Sequence, residues 1–282
     1  MPAATTPPGA APAGRELSAR WFAALYATGP LRPLLESLTG IESEIHEVLR
    51  PGLEHSVAHV RMQWWQEECE RAATGSGVHP LTRALLAALP AGAAPGVDLK
   101  GLLDTATWDL ASATFAARKE LTGYCERWAS AMMVPAVRAA APASLSADAA
   151  TTLGRKLGAA LRELELLNDL RPAALAGRLR LPLDELQAAG IDPDALAAAP
   201  CPPALVTLLR ERHGQAQTQL RTLLDGIADP AQRAALRGLI VWARLTLRHS
   251  QQIVAALPAP WRPTRASRLG DVWQAWRYAR TG

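Results

Sequence analysis

Residues 153–190, LGRKLGAALRELELLNDLRPAALAGRLRLPLDELQAAG, decide how this chain folds. The stretch carries a helical apolar period and reads as one long helix. The pattern ends at a Gly177-Arg178 turn and reopens at Leu181-Pro182-Leu183-Asp184-Glu185-Leu186.

Working outward, the same period recurs on both sides. Trp21, Phe22, Leu25 and Tyr26 form one apolar stripe that Gly29-Pro30 ends. Residues 31–49 make the next helix, closed by Pro51-Gly52, and residues 53–73 the one after, closed by Thr74-Gly75-Ser76-Gly77. A shorter helix starts at Pro80, since proline suits a first helical position. Asp98 caps a helix running to about Arg118, and another spans 119–140. Ser146 or Asp148 caps the long helix through Asp169. Residues 204–226 and 230–257 are two more long helices, and a final amphipathic one ends at Tyr278. No stretch shows strand alternation bounded by turns, and no internal repeat has a fixed period. The expected fold is all-α: one helical bundle over 15–282, with a centre able to host a site on facing helices. Residues 1–14, rich in Pro, Ala, Gly and Thr, read as a disordered tail.

Composition narrows the function classes. The 49% hydrophobic content is that of a soluble globular protein, and a chain this long buries about 75% of its unfolded surface without staples. Cys69, Cys125 and Cys201 are widely spaced, with no CxxC, and read as reduced thiols. The net charge of +4 rests on arginine, because Lys100, Lys119 and Lys156 are the only lysines. That points away from a nucleic-acid partner and leaves a weak attraction to anionic membranes or phosphorylated ligands. No apolar run approaches the roughly 18 residues of a membrane span, and the N-terminus lacks a signal-peptide pattern. The expected location is cytoplasmic, with peripheral membrane contact through the Trp/Arg-rich end: Trp261, Arg262, Arg265, Arg268, Trp273, Trp276, Arg277 and Arg280.

Several motifs follow one another in order. Val60-Arg-Met-Gln-Trp-Trp-Gln-Glu-Glu68 precedes Gly77-Val-His-Pro-Leu-Thr-Arg-Ala-Leu85. Trp108-Asp109-Leu110 and Glu120-Leu-Thr-Gly-Tyr-Cys-Glu-Arg-Trp-Ala129 come next, then Gly177-Arg-Leu-Arg-Leu-Pro-Leu-Asp-Glu-Leu186. Together they resemble the squalene/phytoene synthase superfamily over roughly residues 16–190. The resemblance implies an isoprenoid-synthase-type helical bundle with a central apolar cavity. It also implies two DxxxD motifs on facing helices, holding Mg²⁺ against the diphosphates of two prenyl substrates. Carboxylates four apart share a helical face, and Mg²⁺ completes its octahedron with phosphate oxygens.

The chain departs from that pattern at both motifs. The first pair of aspartates falls on His46 and Arg50, with Glu47 beside the first, and the tyrosine before it on Thr39. The second pair falls on Asp169 and Ala173, and the usual glutamine and asparagine on Arg162 and Glu165. Ile41-Glu-Ser-Glu-Ile-His-Glu-Val48 and Arg50-Pro51 look like a branch lacking the first motif. That branch includes bacterial proteins and a mitochondrial assembly factor for respiratory complex I.

Each candidate site has two readings. Glu165 and Asp169, four apart with Arg162 one turn earlier, form either a residual metal site opposite Glu42, Glu44 and Glu47 or a salt-bridge ladder. Glu42, His46 and Arg50 are either a phosphate-facing stripe or an intrahelical ladder. Asp109 points into the central cavity or finds a buried partner. His55 and His59 chelate zinc or hydrogen-bond to each other. Trp64 and Trp65 pack in the core with Arg61 bonded at the buried side. The expectation is a non-catalytic family member that binds an isoprenoid, lipid-like ligand or partner in assembly or lipid handling. The alternative is an active Mg²⁺-dependent transferase joining two farnesyl- or geranylgeranyl-type diphosphates, with Glu42, Glu47 and Glu165 replacing the lost ligands.

Overall fold

A computed structural model describes residues 17–50, 53–90, 96–111, 113–259 and 268–281. The tail at 1–14 and the Trp261–Arg265 part of the C-terminal segment lie outside them. Among the described residues there are thirteen α-helices and two short 3₁₀ turns, and no strand. The helices are α1 (Ala19–Tyr26), α2 (Leu31–His46), α3 (His55–Ala73), α4 (Pro80–Ala87), α5 (Lys100–Leu110) and α6 (Arg118–Ala140). They continue as α7 (Ala147–Asn168), α8 (Leu170–Leu175), α9 (Leu183–Ala188), α10 (Pro203–Asp225), α11 (Pro230–Ala235), α12 (Arg237–Ala256) and α13 (Arg268–Thr281).

The most extensive pairing joins α6 and α7, the two helices on either side of the 141–146 turn. Ser146 caps α7, accepting from the Ala149 amide at 3.2 Å. The opening stretch keeps the Gly177 turn but is two helices where one was expected. α7 stops at Asn168, α8 follows almost at once, and Gly177 takes φ +75°, a conformation costly for other residues, before α9 begins. α1 lies on α12 so closely that a Cβ at Gly238 would stand 2.4 Å from the Ala23 carbonyl oxygen.

Several expectations need correction. The helix from Asp98 ends at Leu110, and the non-helical chain at Ala113–Ala117 brings Phe115 onto Trp108 and Tyr124, with ring centroids 5.3 and 5.4 Å apart. The helix over 230–257 breaks at Leu236, whose side chain is fully buried. On α1, Phe22 and Ala23 face inward while Leu25 is 39% exposed. On α3 the buried row is Ala58, Met62, Trp65, Cys69 and Ala72, the spacing of one helical face. Arg61 and Trp64 fall off that row and lie at the surface, so Arg61 makes no buried bond. Glu68 is buried to pin the turn that follows, accepting from the amides of Val78 and His79 at 2.8 and 2.7 Å.

Where α2, α6, α7 and α12 meet, Leu34, Leu38, Ile41, Ile45, Trp128, Met132, Leu157, Leu161, Leu164 and Trp242 have no accessible surface. At this level the bundle interior is occupied by indole and branched apolar side chains. A cavity of about 40 Å³ lies elsewhere, between Leu167, Leu170, Leu196, Leu205, His213 and Ile253.

Candidate functional site

The polar centre of the bundle is built on Glu42 of α2 and Glu165 of α7. Both lie beside inward-facing leucines and isoleucines, so the helical faces that build the core also carry these carboxylates inward. An unpaired buried carboxylate is costly, and each of these is fully partnered. Trp128 of α6 donates its indole N–H to Glu42 Oε1 at 2.8 Å, and Trp242 of α12 donates to Glu165 Oε1 at 2.9 Å.

Two guanidinium groups lie between the carboxylates. Arg20 of α1 donates from Nη1 to Glu42 Oε2 and from Nη2 to Glu165 Oε2, the latter at 2.8 Å. Arg162 reaches Glu165 Oε2 at 3.2 Å and Glu42 Oε1 at 3.8 Å. Both cations stack on aromatic faces. The Arg20 Cζ is 5.6 Å from the Trp128 ring and 5.1 Å from Trp242; the Arg162 Cζ is 5.1 Å from Trp128 and 5.9 Å from Tyr124. The indoles meet edge to face at 6.0 Å.

A second ion pair continues the network. Asp109 of α5 is buried and accepts from Arg180 Nη1 at 2.6 Å and from the Tyr124 hydroxyl at 3.2 Å. Tyr124 in turn accepts from Arg162 at 3.4 Å. His46 donates from Nδ1 to the Glu42 carbonyl at 2.8 Å, with Nε2 3.8 Å from Asp109. Burial lowers the His46 pKa against the pull of Glu42, so the ring is neutral at pH 7. Burial alone would raise Glu42, but Arg20 and Arg162 outweigh it and hold the carboxyl at about 2.

The structure thus gathers Glu42, His46, Asp109, Arg162 and Glu165, and places Glu44, Glu47 and Arg50 at the surface. Glu47 and Arg50 are exposed, because the chain tightens into a 3₁₀ turn at Glu47 and Arg50 adopts an extended backbone at ψ 130°. The continuous Glu42–His46–Arg50 face is accordingly absent, both as ladder and as phosphate stripe. Asp169, at the junction of α7 and α8, forms no ion pair among the described residues, but it borders the centre: burial raises its carboxyl pKa against the pull of Arg180 and Arg162. Glu44 is exposed. His55 and His59 bond to each other, Nε2 to Nε2 at 2.8 Å.

Sequence reasoning missed Arg20, Tyr124, Trp128, Arg180 and Trp242 as members of this centre. Arg180 and Tyr124 stood inside quoted motifs. Arg20 had no signal of its own, since only the fold of α1 brings it to the centre.

The residues do not fit Mg²⁺. The oxygens of Glu42 and Glu165 already accept from guanidinium and indole N–H groups, and those of Asp109 from Arg180 and Tyr124. Arg20, Arg162 and Arg180 engage these three carboxylates, so their oxygens are not free for a divalent ion. Among the described residues no group of three His, Cys, Asp or Glu side chains is placed to hold a metal.

The squalene/phytoene synthase family model matches residues 22–271. Among solved structures, a dehydrosqualene synthase in complex with ligand superposes with a TM-score of 0.74 at 15% identity, over 93% of this chain and 91% of that one. The squalene synthase HpnC from Alicyclobacillus acidocaldarius gives 0.63 at 18% identity, over 85% and 89%. These likenesses show a shared fold. No curated protein sequence matches.

Proposed function

The chain belongs to the squalene/phytoene synthase family, and from that premise we propose that it keeps the family fold without metal-dependent prenyl transfer. The observation that carries this reading is Arg20, which occupies the space between Glu42 and Glu165 and bonds to both. Ionising an allylic diphosphate needs a cation that neutralises the departing charge. Here the cations at the centre are already neutralised by the protein's own carboxylates. The molecule serves as a scaffold, binding a lipid-like ligand or a partner protein in assembly or lipid handling.

The test is incubation of the purified protein with Mg²⁺ and radiolabelled farnesyl or geranylgeranyl diphosphate, with and without NADPH. No C30 or C40 product is expected. Product that disappears in Glu165→Ala overturns the reading and establishes the transferase alternative.

A further inference from the structure

Helix α13 is bound to the body along one side only. Ala275 and Ala279 pack against Phe22, Val241 and Leu245. Asp271 is 6% exposed and meets Arg248 at 3.4 Å and His249 at 2.9 Å on α12. On the opposite side Leu269, Val272, Trp273 and Trp276 are 86%, 39%, 52% and 46% exposed. At about 100° per residue these four fall within one arc of about 100°, with Arg280 inside it and Arg277 about 40° beyond its edge. The Arg280 Cζ sits 4.8 Å from the Trp276 ring, and the Arg277 Cζ 5.5 Å from Trp273. Asp271, the helix's single acid, is turned to the body. The outward face is therefore apolar and cationic, with no carboxylate of its own.

We propose that this face of α13 docks on an anionic lipid bilayer, lying in the headgroup plane with Trp273 and Trp276 at the acyl boundary. Three observations favour lipid over other occupants. Arg280 shares the arc with the tryptophans and Arg277 flanks it. In a dry protein groove they would need buried acids, whereas among headgroups they stay hydrated and meet phosphates. Two-fold pairing of copies through this face would set arginine against arginine. Indole rings with a guanidinium over them also match the interfacial region, where one side is apolar and the other wet. No described helix is long and apolar enough to cross a membrane, so the contact is peripheral.

The experiment is co-sedimentation of the full chain with phosphatidylcholine vesicles, with and without phosphatidylglycerol. Binding to the anionic vesicles is expected to exceed binding to the neutral ones by about 30-fold, each of two arginines contributing about fivefold. The triple variant Leu269→Ser, Trp273→Ser, Trp276→Ser should lose at least about tenfold in binding while melting as the parent does, since exposed substitutions barely change stability. Arg277→Glu with Arg280→Glu should erase the preference for anionic lipid. Four results would overturn the proposal: no vesicle binding, equal binding to both vesicles, binding that survives the triple variant, or self-association through this face in place of vesicle binding. No prenyl substrate enters the assay, so its failure is separate from failure of the scaffold reading.

Discussion

Arg20 Nη2 donates to Glu165 Oε2 at 2.8 Å across 145 residues of chain, and its Nη1 holds Glu42. One side chain thereby ties α1, α2 and α7 together at the polar centre. The three charges are removed from most of the surrounding water, and the arrangement is stable because every carboxylate oxygen involved has a donor.

Arg20→Met removes the bridge and leaves Glu42 and Glu165 to Arg162 and the two indoles. Breaking a buried pair from one side typically costs about 3–5 kcal/mol. The Arg20 side chain keeps 27% exposure, so water screens part of the loss, and about 2–3 kcal/mol is expected. Urea unfolding measures this. A double-mutant cycle with Glu165→Gln should return coupling of the same sign, because both changes act on one contact.

Trp128→Phe and Trp242→Phe each keep an aromatic ring and remove one N–H donor to a carboxylate. Hydrogen bonds to charged groups contribute about 1.5–3 kcal/mol, so each variant should lose at least that much in chemical denaturation. Trp128→Phe should also raise the Glu42 pKa from about 2, since the indole is one of the groups holding it down. Carboxyl NMR titration reads that shift.

The fold was legible because helical periodicity is local: the turn at Gly177, the Ser146 cap and the long helices appear in the sequence through capping and glycine rules. The centre was only half legible. Asp109, Arg162 and Glu165 were picked out by their places in the family-like motifs, and Glu42 by its four-residue spacing to His46. Their partners were not, because Arg20 and Trp242 come from helices distant in sequence. Arg50 misled for a related reason: an eight-residue spacing predicts a shared face only if the helix continues, and α2 gives way to a 3₁₀ turn at Glu47.

Acid should destabilise the protein in two stages. His213 is buried against Ser250, which its Nδ1 meets at 2.7 Å, and burial lowers its pKa from 6.5 to about 4. Between those values the unfolded chain binds the proton and the folded one does not, so stability falls as pH drops, by on the order of 3 kcal/mol in all. His46, also lowered, adds to this window. Glu42 acts below it: the unfolded carboxyl protonates near 4.5 and the folded one at about 2, so its contribution disappears as pH falls across that range. In urea titrations His213→Gln should flatten the slope between pH 6.5 and 4 and leave the steeper loss below pH 4.5 in place.

Gly238→Ala tests whether α1 must sit tight on α12 to deliver Arg20. An added methyl would stand 2.4 Å from the Ala23 carbonyl and 3.0 Å from the Ala27 Cβ. The helices have to separate, at a cost of about 1–3 kcal/mol. Hydrogen exchange should show α1 loosened while the α6–α7 pair stays protected.

The most direct measurement is the melting temperature of the purified protein as Mg²⁺ and inorganic pyrophosphate are raised together to millimolar levels. A ligand that binds the folded state at a hundred times its Kd stabilises it by about 2.7 kcal/mol, enough to read as a shift of several degrees. With Arg20 and Arg162 holding Glu42 and Glu165, no saturable rise is expected. A saturable rise that vanishes in Glu165→Gln would contradict the account, because it would place a metal–diphosphate site where the arginines stand.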